Sequence, residues 1–333
     1  MTPPERGGAR ALKLVIGFAI SAALVWYAFR NTPFADVWAP IKAAHVVTMI
    51  VAVFFATLPF VLRVPRWQLL LHRDDGTTIP RRSLWQAISI GFAANNVLPF
   101  RAGEVLRVAA ISRLAPVSFA AALSSVAVER VLDALVVVTL LGIGLVGGQL
   151  PASNGMASKA ELIGLVCLAA MAAAIIAAWR RELALRLLER VLPAGRITTH
   201  LLAFVDNVLR GLGAMRDPRR AAPIILWSVV IWVVNASAFY IAFMAFDFHL
   251  PFTAALILQG ALMIGIAVPS TPGYVMVFET AIYGVLLLYG IDKDHGLAYG
   301  LLYHVATFIP ITVMGALNAV NTGTRIRVPA ESP

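Results

Sequence analysis

"AANNVLPFRAGEVLRVAAI", Ala93 to Ile111, joins two apolar runs through two asparagines, a proline, two arginines and a glutamate. On a soluble protein this is an ordinary loop. At membrane depth each of those polar groups needs a partner, and non-helical backbone is tolerated only against protein or a watery cavity. The surrounding chain decides between the two.

The 333 residues are 60% hydrophobic and 13% charged, with a mean hydropathy of +0.82. Soluble domains carry about 25% charged residues, so this balance belongs to a polytopic integral membrane protein. A spanning helix needs about 20 apolar residues, and the runs here predict an all-α chain of about six to eight transmembrane helices. The formal net charge is +10. Its basic residues gather in particular loops, which points to membrane orientation and anionic phospholipid headgroups rather than nucleic acid. The single cysteine, Cys167, lies in an apolar run, and the six histidines show no metal-ligand spacing. No metal or other cofactor is expected.

Leu12 to Phe29 follows Arg6 and Arg10 and reads as an uncleaved first helix. Val46 to Leu62 is the second run. Arg63, Arg66, Arg73, Arg81 and Arg82 come after it and read as a cytoplasmic loop by the positive-inside rule. Trp85 to Leu98 reaches only roughly 20 Å at about 1.5 Å per residue, short of a hydrocarbon core about 30 Å thick. Arg101, Arg107 and Arg113 follow, so the chain enters from the cytoplasm and returns there. A re-entrant segment near residues 85–113 does this. Phe119 to Val146 then crosses outward, and Leu162 to Trp179 comes back, closing a first half over residues 12–179.

Residues 180–222 read as a cytoplasmic amphipathic linker. Arg180 to Arg220 holds nine arginines and four acidic residues. Leu183, Leu187, Leu188 and Val191 form one helical stripe, and Leu201, Val205, Val208 and Leu212 form another. A solvated connector and a lipid-sensing surface are both open for it. Residues 223–320 form the second half. Pro223 to Phe246 crosses outward and Ala298 to Leu317 crosses inward. Between them, a second re-entrant or broken segment near residues 252–290 leaves from and returns to the outside. Both termini then face the cytoplasm of a bacterial-type inner membrane.

The two broken segments match weakly. Ile90 to Glu104 and Ile264 to Glu279 each run Ile-Gly-Φ-Ala, then a proline, a glycine and a glutamate. They open to opposite sides, which is the sequence signature of an inverted repeat with a midplane binding site. Asn95, Asn96, Pro99, Arg101, Glu104 and Arg107 are the candidates in the first segment. The arginines suit phosphate and the asparagines suit headgroup oxygens. Glu104 and Arg107, three apart, can pair on one helix face. The alternative is an interfacial loop with snorkelling arginines. Glu129, Arg130 and Asp133 crowd one helix, and a charge at mid-bilayer costs at least about 2.5 kcal/mol. They should face inward, as a structural clamp or as transport machinery. Pro272, Gly273 and Glu279 are the candidates in the second segment. Asn235, Gln259 and His304 read as interhelical hydrogen-bonding positions.

"NNVLPFRAGEVLR", "VERVLD" and "PSTPGYVMVFE", in that order and spacing, resemble the lysylphosphatidylglycerol synthase/flippase transmembrane-region family over about Leu12 to Val320. The resemblance implies an inner-membrane lipid flippase. In two-part members this region moves an aminoacylated lipid between leaflets, and a soluble aminoacyl-transferase domain follows. Here the last apolar run ends close to Pro333, so a stand-alone membrane domain without lysyl transfer is expected. Phospholipid transport without enzymatic chemistry is therefore the leading expectation. A homo-oligomer or a separate synthase or glycosyltransferase partner is compatible with it. No GxxxxGK[ST] sequence occurs, so ATP could act only through a partner. Two rivals remain: a transferase on a lipid-linked substrate with Glu104 or Asp133 as base, and a non-transporting partner subunit.

Overall fold

The computed structural model describes residues 33–71, 77–98, 102–148, 156–180, 218–266 and 272–323, with a few isolated positions besides. Among them are ten α-helices and no strand. They are α1 (Phe34–Ala43), α2 (Val46–Leu70), α3 (Arg81–Val97), α4 (Ala102–Leu114), α5 (Phe119–Gly147), α6 (Met156–Trp179), α7 (Pro218–Ala245), α8 (Phe252–Gly265), α9 (Val277–Leu288) and α10 (Lys293–Asn321). A single 3-10 turn, Pro272–Tyr274, lies between α8 and α9.

Among the described residues, four stretches are long and apolar enough to cross a bilayer: α2, α5, residues 221–245 of α7, and α10. α8 and α9 are shorter apolar helices. Many large apolar side chains on these helices are exposed, Val47, Phe54, Leu226 and Leu317 among them. In water that surface would be costly. In lipid it is the expected exterior. The chain is a polytopic, multi-pass membrane protein. The expected first helix, Leu12 to Phe29, and nearly all of the 180–222 linker lie outside the described residues.

Two helix starts carry side-chain caps. Ser118 caps α5 by accepting a hydrogen bond from the Ala121 N–H at 3.2 Å. Asp292 caps α10 by accepting from the N–H groups of Asp294 and His295. α6 ends at Trp179, and α7 begins at Pro218, within the last residues of the 180–222 span.

α3 and α4 form one antiparallel hairpin, and α8 and α9 form the other. Close approach in the first depends on paired glycines. A Cβ on Gly103 would sit 2.0 Å from the Gly91 carbonyl oxygen, and one on Gly91 would sit 2.6 Å from the Arg107 Cβ. Three helix contacts in one half have counterparts in the other. α3 packs on α10 as α8 packs on α5, α4 packs on α5 as α9 packs on α10, and α2 packs on α3 as α7 packs on α8. α2 and α7 pack on each other. Each hairpin thus packs one arm on the long helix of the opposite half and the other on that of its own.

A correction concerns α2. It does not end at Leu62 but runs through Pro65 to Leu70. Arg63 and Arg66 are buried inside it, at 6% and 0% exposure, and do not lie in a cytoplasmic loop. The reason is electrostatic: α5 presents two carboxylates at that depth, and the apolar run resumes at Trp67.

Candidate functional site

α5 carries Glu129 and Asp133 one turn apart, both fully inward. Four guanidiniums from three other positions and from α5 itself converge on them. Arg107 of α4 grips Glu129 with two bonds, Nη1 to Oε1 at 2.8 Å and Nη2 to Oε2 at 3.0 Å. Its guanidinium lies flat over the Trp67 ring, 3.8 Å from the centroid. Arg66 donates to Asp133 at 2.6 Å and lies 3.3 Å from Glu129. Arg63 donates to Asp133 at 3.0 Å and sits between the rings of Phe92 and Trp232. Arg130 bridges Glu129 and Asp133. Trp232 Nε1 of α7 adds a hydrogen bond to Asp133 at 2.9 Å, and Ser228 accepts one from Arg66.

Bidentate, charge-assisted bonds of this kind are the strong ones. Yet the charges do not balance. Four guanidiniums face two carboxylates. The third carboxylate, Glu104, approaches only Arg130, at 3.9 Å. The Nε groups of Arg63, Arg66, Arg107 and Arg130 are all buried without a hydrogen-bond partner. The cluster therefore holds an excess of positive charge and spare donors. Its accessible edge is the pair Arg130 and Glu104, whose side chains are 30% and 32% exposed.

The expected Glu104–Arg107 pair does not form. Arg107 turns inward to Glu129 because two parallel bonds and the Trp67 face outcompete a single contact at a three-residue spacing. Pro99 and Arg101 lie outside the described residues. Asn95 and Asn96 close α3. Asn96 donates to Thr312 of α10 at 2.8 Å, while the Asn95 amide oxygen is buried and unpartnered.

The tips of the two hairpins meet. A Cβ on Gly273 would come 3.4 Å from the Asn96 carbonyl oxygen and from Phe308 of α10. Three residues at that tip are left-handed: Gly273 (φ 74), Tyr274 (φ 57) and Met276 (φ 64). For the two with a Cβ this stores strain of order 1–3 kcal/mol each. Pro272 opens the same turn. Glu279 follows in the first turn of α9, at 3% exposure, and its Oε1 lies 2.7 Å from His304 Nδ1. Asn235 donates to Gln259 at 2.9 Å, the interhelical bond expected of such residues.

Sequence reading thus identified the acidic half of the buried cluster and two of the arginines that neutralise it, Arg107 and Arg130. It placed Arg63 and Arg66 elsewhere and passed over Trp67, Ser228 and Trp232. One signal was available: "RVPRW" is followed at once by another apolar run, and the carboxylates of "VERVLD" outnumber the cations of their own helix. Among the described residues, no group of three or more His, Cys, Asp or Glu side chains could hold a metal ion.

The sequence profile of the lysylphosphatidylglycerol synthase TM region matches residues 14–315. A "UPF0104 membrane protein" of Methanothermobacter thermautotrophicus is 27% identical over 248 residues, covering 69% of this chain and 71% of that one. The profile match contains α2, α5, α7, most of α10, both hairpins and the whole arginine–carboxylate cluster. The chain belongs to the lysylphosphatidylglycerol synthase transmembrane-region family.

Proposed function

We propose that the protein moves a phospholipid between the leaflets of a bacterial-type cytoplasmic membrane, with both termini on the cytoplasmic side. The observation that carries this reading is the unbalanced cluster: four guanidiniums on two buried carboxylates, with its accessible edge at Arg130 and Glu104. An isolated clamp needs only enough cations to neutralise its anions, because surplus buried charge is costly. A surplus with unused N–H donors suits a phosphate oxyanion.

The pairwise correspondence of helix contacts supports an inverted repeat in which both hairpins are re-entrant, with their tips joined at the membrane midplane. The headgroup would bind at Arg130 and pass Asn95, Asn96 and Gly273 between the hairpins while its acyl chains remain in lipid. The reading is of a transporter and not an enzyme. Asp133 is held by three arginines and an indole N–H, which leaves it poorly placed to act as a base.

The test is leaflet exchange. Protein in liposomes that contain fluorescent phosphatidylglycerol should make the inner-leaflet probe accessible to an external quencher faster than protein-free liposomes do. Rates equal to the protein-free background across anionic and zwitterionic lipids would refute the proposal.

A further inference from the structure

We propose that Glu279 and His304 form a proton-binding site that couples lipid movement to the proton gradient. The role in coupling rests on the transport reading; the proton chemistry of the pair does not.

The pair differs in kind from the arginine cluster. Glu129 and Asp133 are already neutralised by fixed cations. Glu279 is as deeply buried, but among the described residues its only partner is a histidine, and its Oε2 has none. The His304 ring stacks on Phe278, with centroids 4.3 Å apart, and 13% of the side chain remains exposed. Gly300 of α10 lets the helices close on each other: a Cβ there would lie 3.2 Å from the Glu279 Cα. A buried carboxylate with a single imidazole partner has a charge that depends on one proton. With that proton, carboxylate and imidazolium cancel. Without it, the pair carries one uncompensated negative charge in a low-dielectric setting.

Among the described residues, the surroundings supply no fixed cation in its place. α8, packed on α9, has no ionisable side chain. α9 itself offers only Tyr283 besides Glu279. α10 beyond Gly296 offers Tyr299, whose hydroxyl donates to the Phe239 carbonyl, and Tyr303, stacked on Phe278. The other helices packed on α10 carry their remaining described charges on exposed side chains or in the cluster. Asp36 and Lys42 are exposed on α1, Arg81 and Arg82 are exposed at the start of α3, and Arg219 is exposed at the start of α7; Arg63 and Arg66 of α2 are committed to the cluster.

Position makes the proton consequential. Glu279 lies three residues after Met276, the last of the left-handed residues at the hairpin tip. That tip touches Asn96 of the other hairpin. His304 lies eight residues before Thr312, the Asn96 partner, or roughly 12 Å along α10. Charging and discharging the pair therefore acts on the strained element that joins the two hairpins.

The experiment has two arms. In liposomes with the membrane potential clamped, a pH difference of one unit should drive a labelled phospholipid toward one leaflet, up to about tenfold if one proton moves with each lipid. In Glu279→Gln and His304→Gln the leaflet distribution should no longer respond to the gradient. A wild-type distribution indifferent to the gradient, or a variant that keeps the response, overturns the proposal. Infrared difference spectra of the purified protein in lipid, recorded over a pH series, form the second arm. They should show protonation of the pair in the wild type and its loss in Glu279→Gln. Absence of that signal in the wild type overturns the proposal even where no lipid exchange occurs, which is the separate failure of the transport reading.

Discussion

Arg107 is held by two kinds of contact at once, a fork of two hydrogen bonds to Glu129 and the face of Trp67. Removing one partner of a buried ion pair costs about 3–5 kcal/mol. Arg107→Ala should therefore lower chemical stability in detergent by that order. Arg107→Lys should recover only part of it, since an ammonium neither forks nor stacks as a guanidinium does. Equal stability of Arg107→Lys and wild type would contradict the geometry. Legibility at this scale was uneven for a physical reason. Acidic residues inside an apolar run announce themselves, because little but an internal partner tolerates them there. Arginines near a helix end do not: Arg63 and Arg66 read equally as cytoplasmic anchors or as buried counter-charges. Only the three-dimensional position of α5 distinguishes the two. Glu104 shows the converse error, since helical spacing allowed a pair that a better acceptor on another helix took away.

Elements in this fold are fixed by their ends and by close approaches. Gly103→Ala would drive a methyl group into the Gly91 carbonyl. Overpacking of this kind costs typically about 1–3 kcal/mol, and the α3–α4 hairpin should splay. The corresponding loss of thermal stability is the measurement, and an unchanged midpoint would refute the close approach. Asp292 at the head of α10 gives a pH-dependent case. Burial pushes its carboxyl up, but the N–H groups of His295 and Asp294 and the His295 ring outweigh this and hold it below the ordinary carboxylate value. A depressed folded value means that the stabilisation is present above the unfolded pKa of about 3.9 and is lost as pH falls through the folded one. Asp292→Ala should cost about 1 kcal/mol near neutrality, and the difference from wild type should shrink below about pH 4. A difference that persists unchanged at pH 3 would exclude the cap as its cause. The hairpins were legible as broken apolar runs, because Pro, Gly and Asn interrupt helices wherever they fall. Their partners were not, since no pattern within α3 says that it lies on α10.

At the scale of the molecule, α2, α5, α7 and α10 are the long apolar helices, and the two hairpins are set between them. The orientation is testable by labelling. In a Cys167→Ser background, a cysteine at Val320 should react with a membrane-impermeant maleimide only from the cytoplasmic side, and one at Asp247 only from the outside. The opposite pattern would invert the proposed topology. Composition alone made the membrane class legible; the pairing of each hairpin with the opposite half's long helix was beyond any local pattern. The central claim is that the surplus charge of the buried cluster is a headgroup site. Arg130 tests it best, because both carboxylates keep other guanidiniums when it is lost. Binding of short-chain phosphatidylglycerol and of a matched diglyceride should be titrated against wild type and Arg130→Gln in nanodiscs. The account predicts that wild type prefers the phosphate-bearing lipid at least about tenfold and that Arg130→Gln loses most of that preference. Equal affinity of wild type for the two lipids, or a preference untouched by Arg130→Gln, would contradict it.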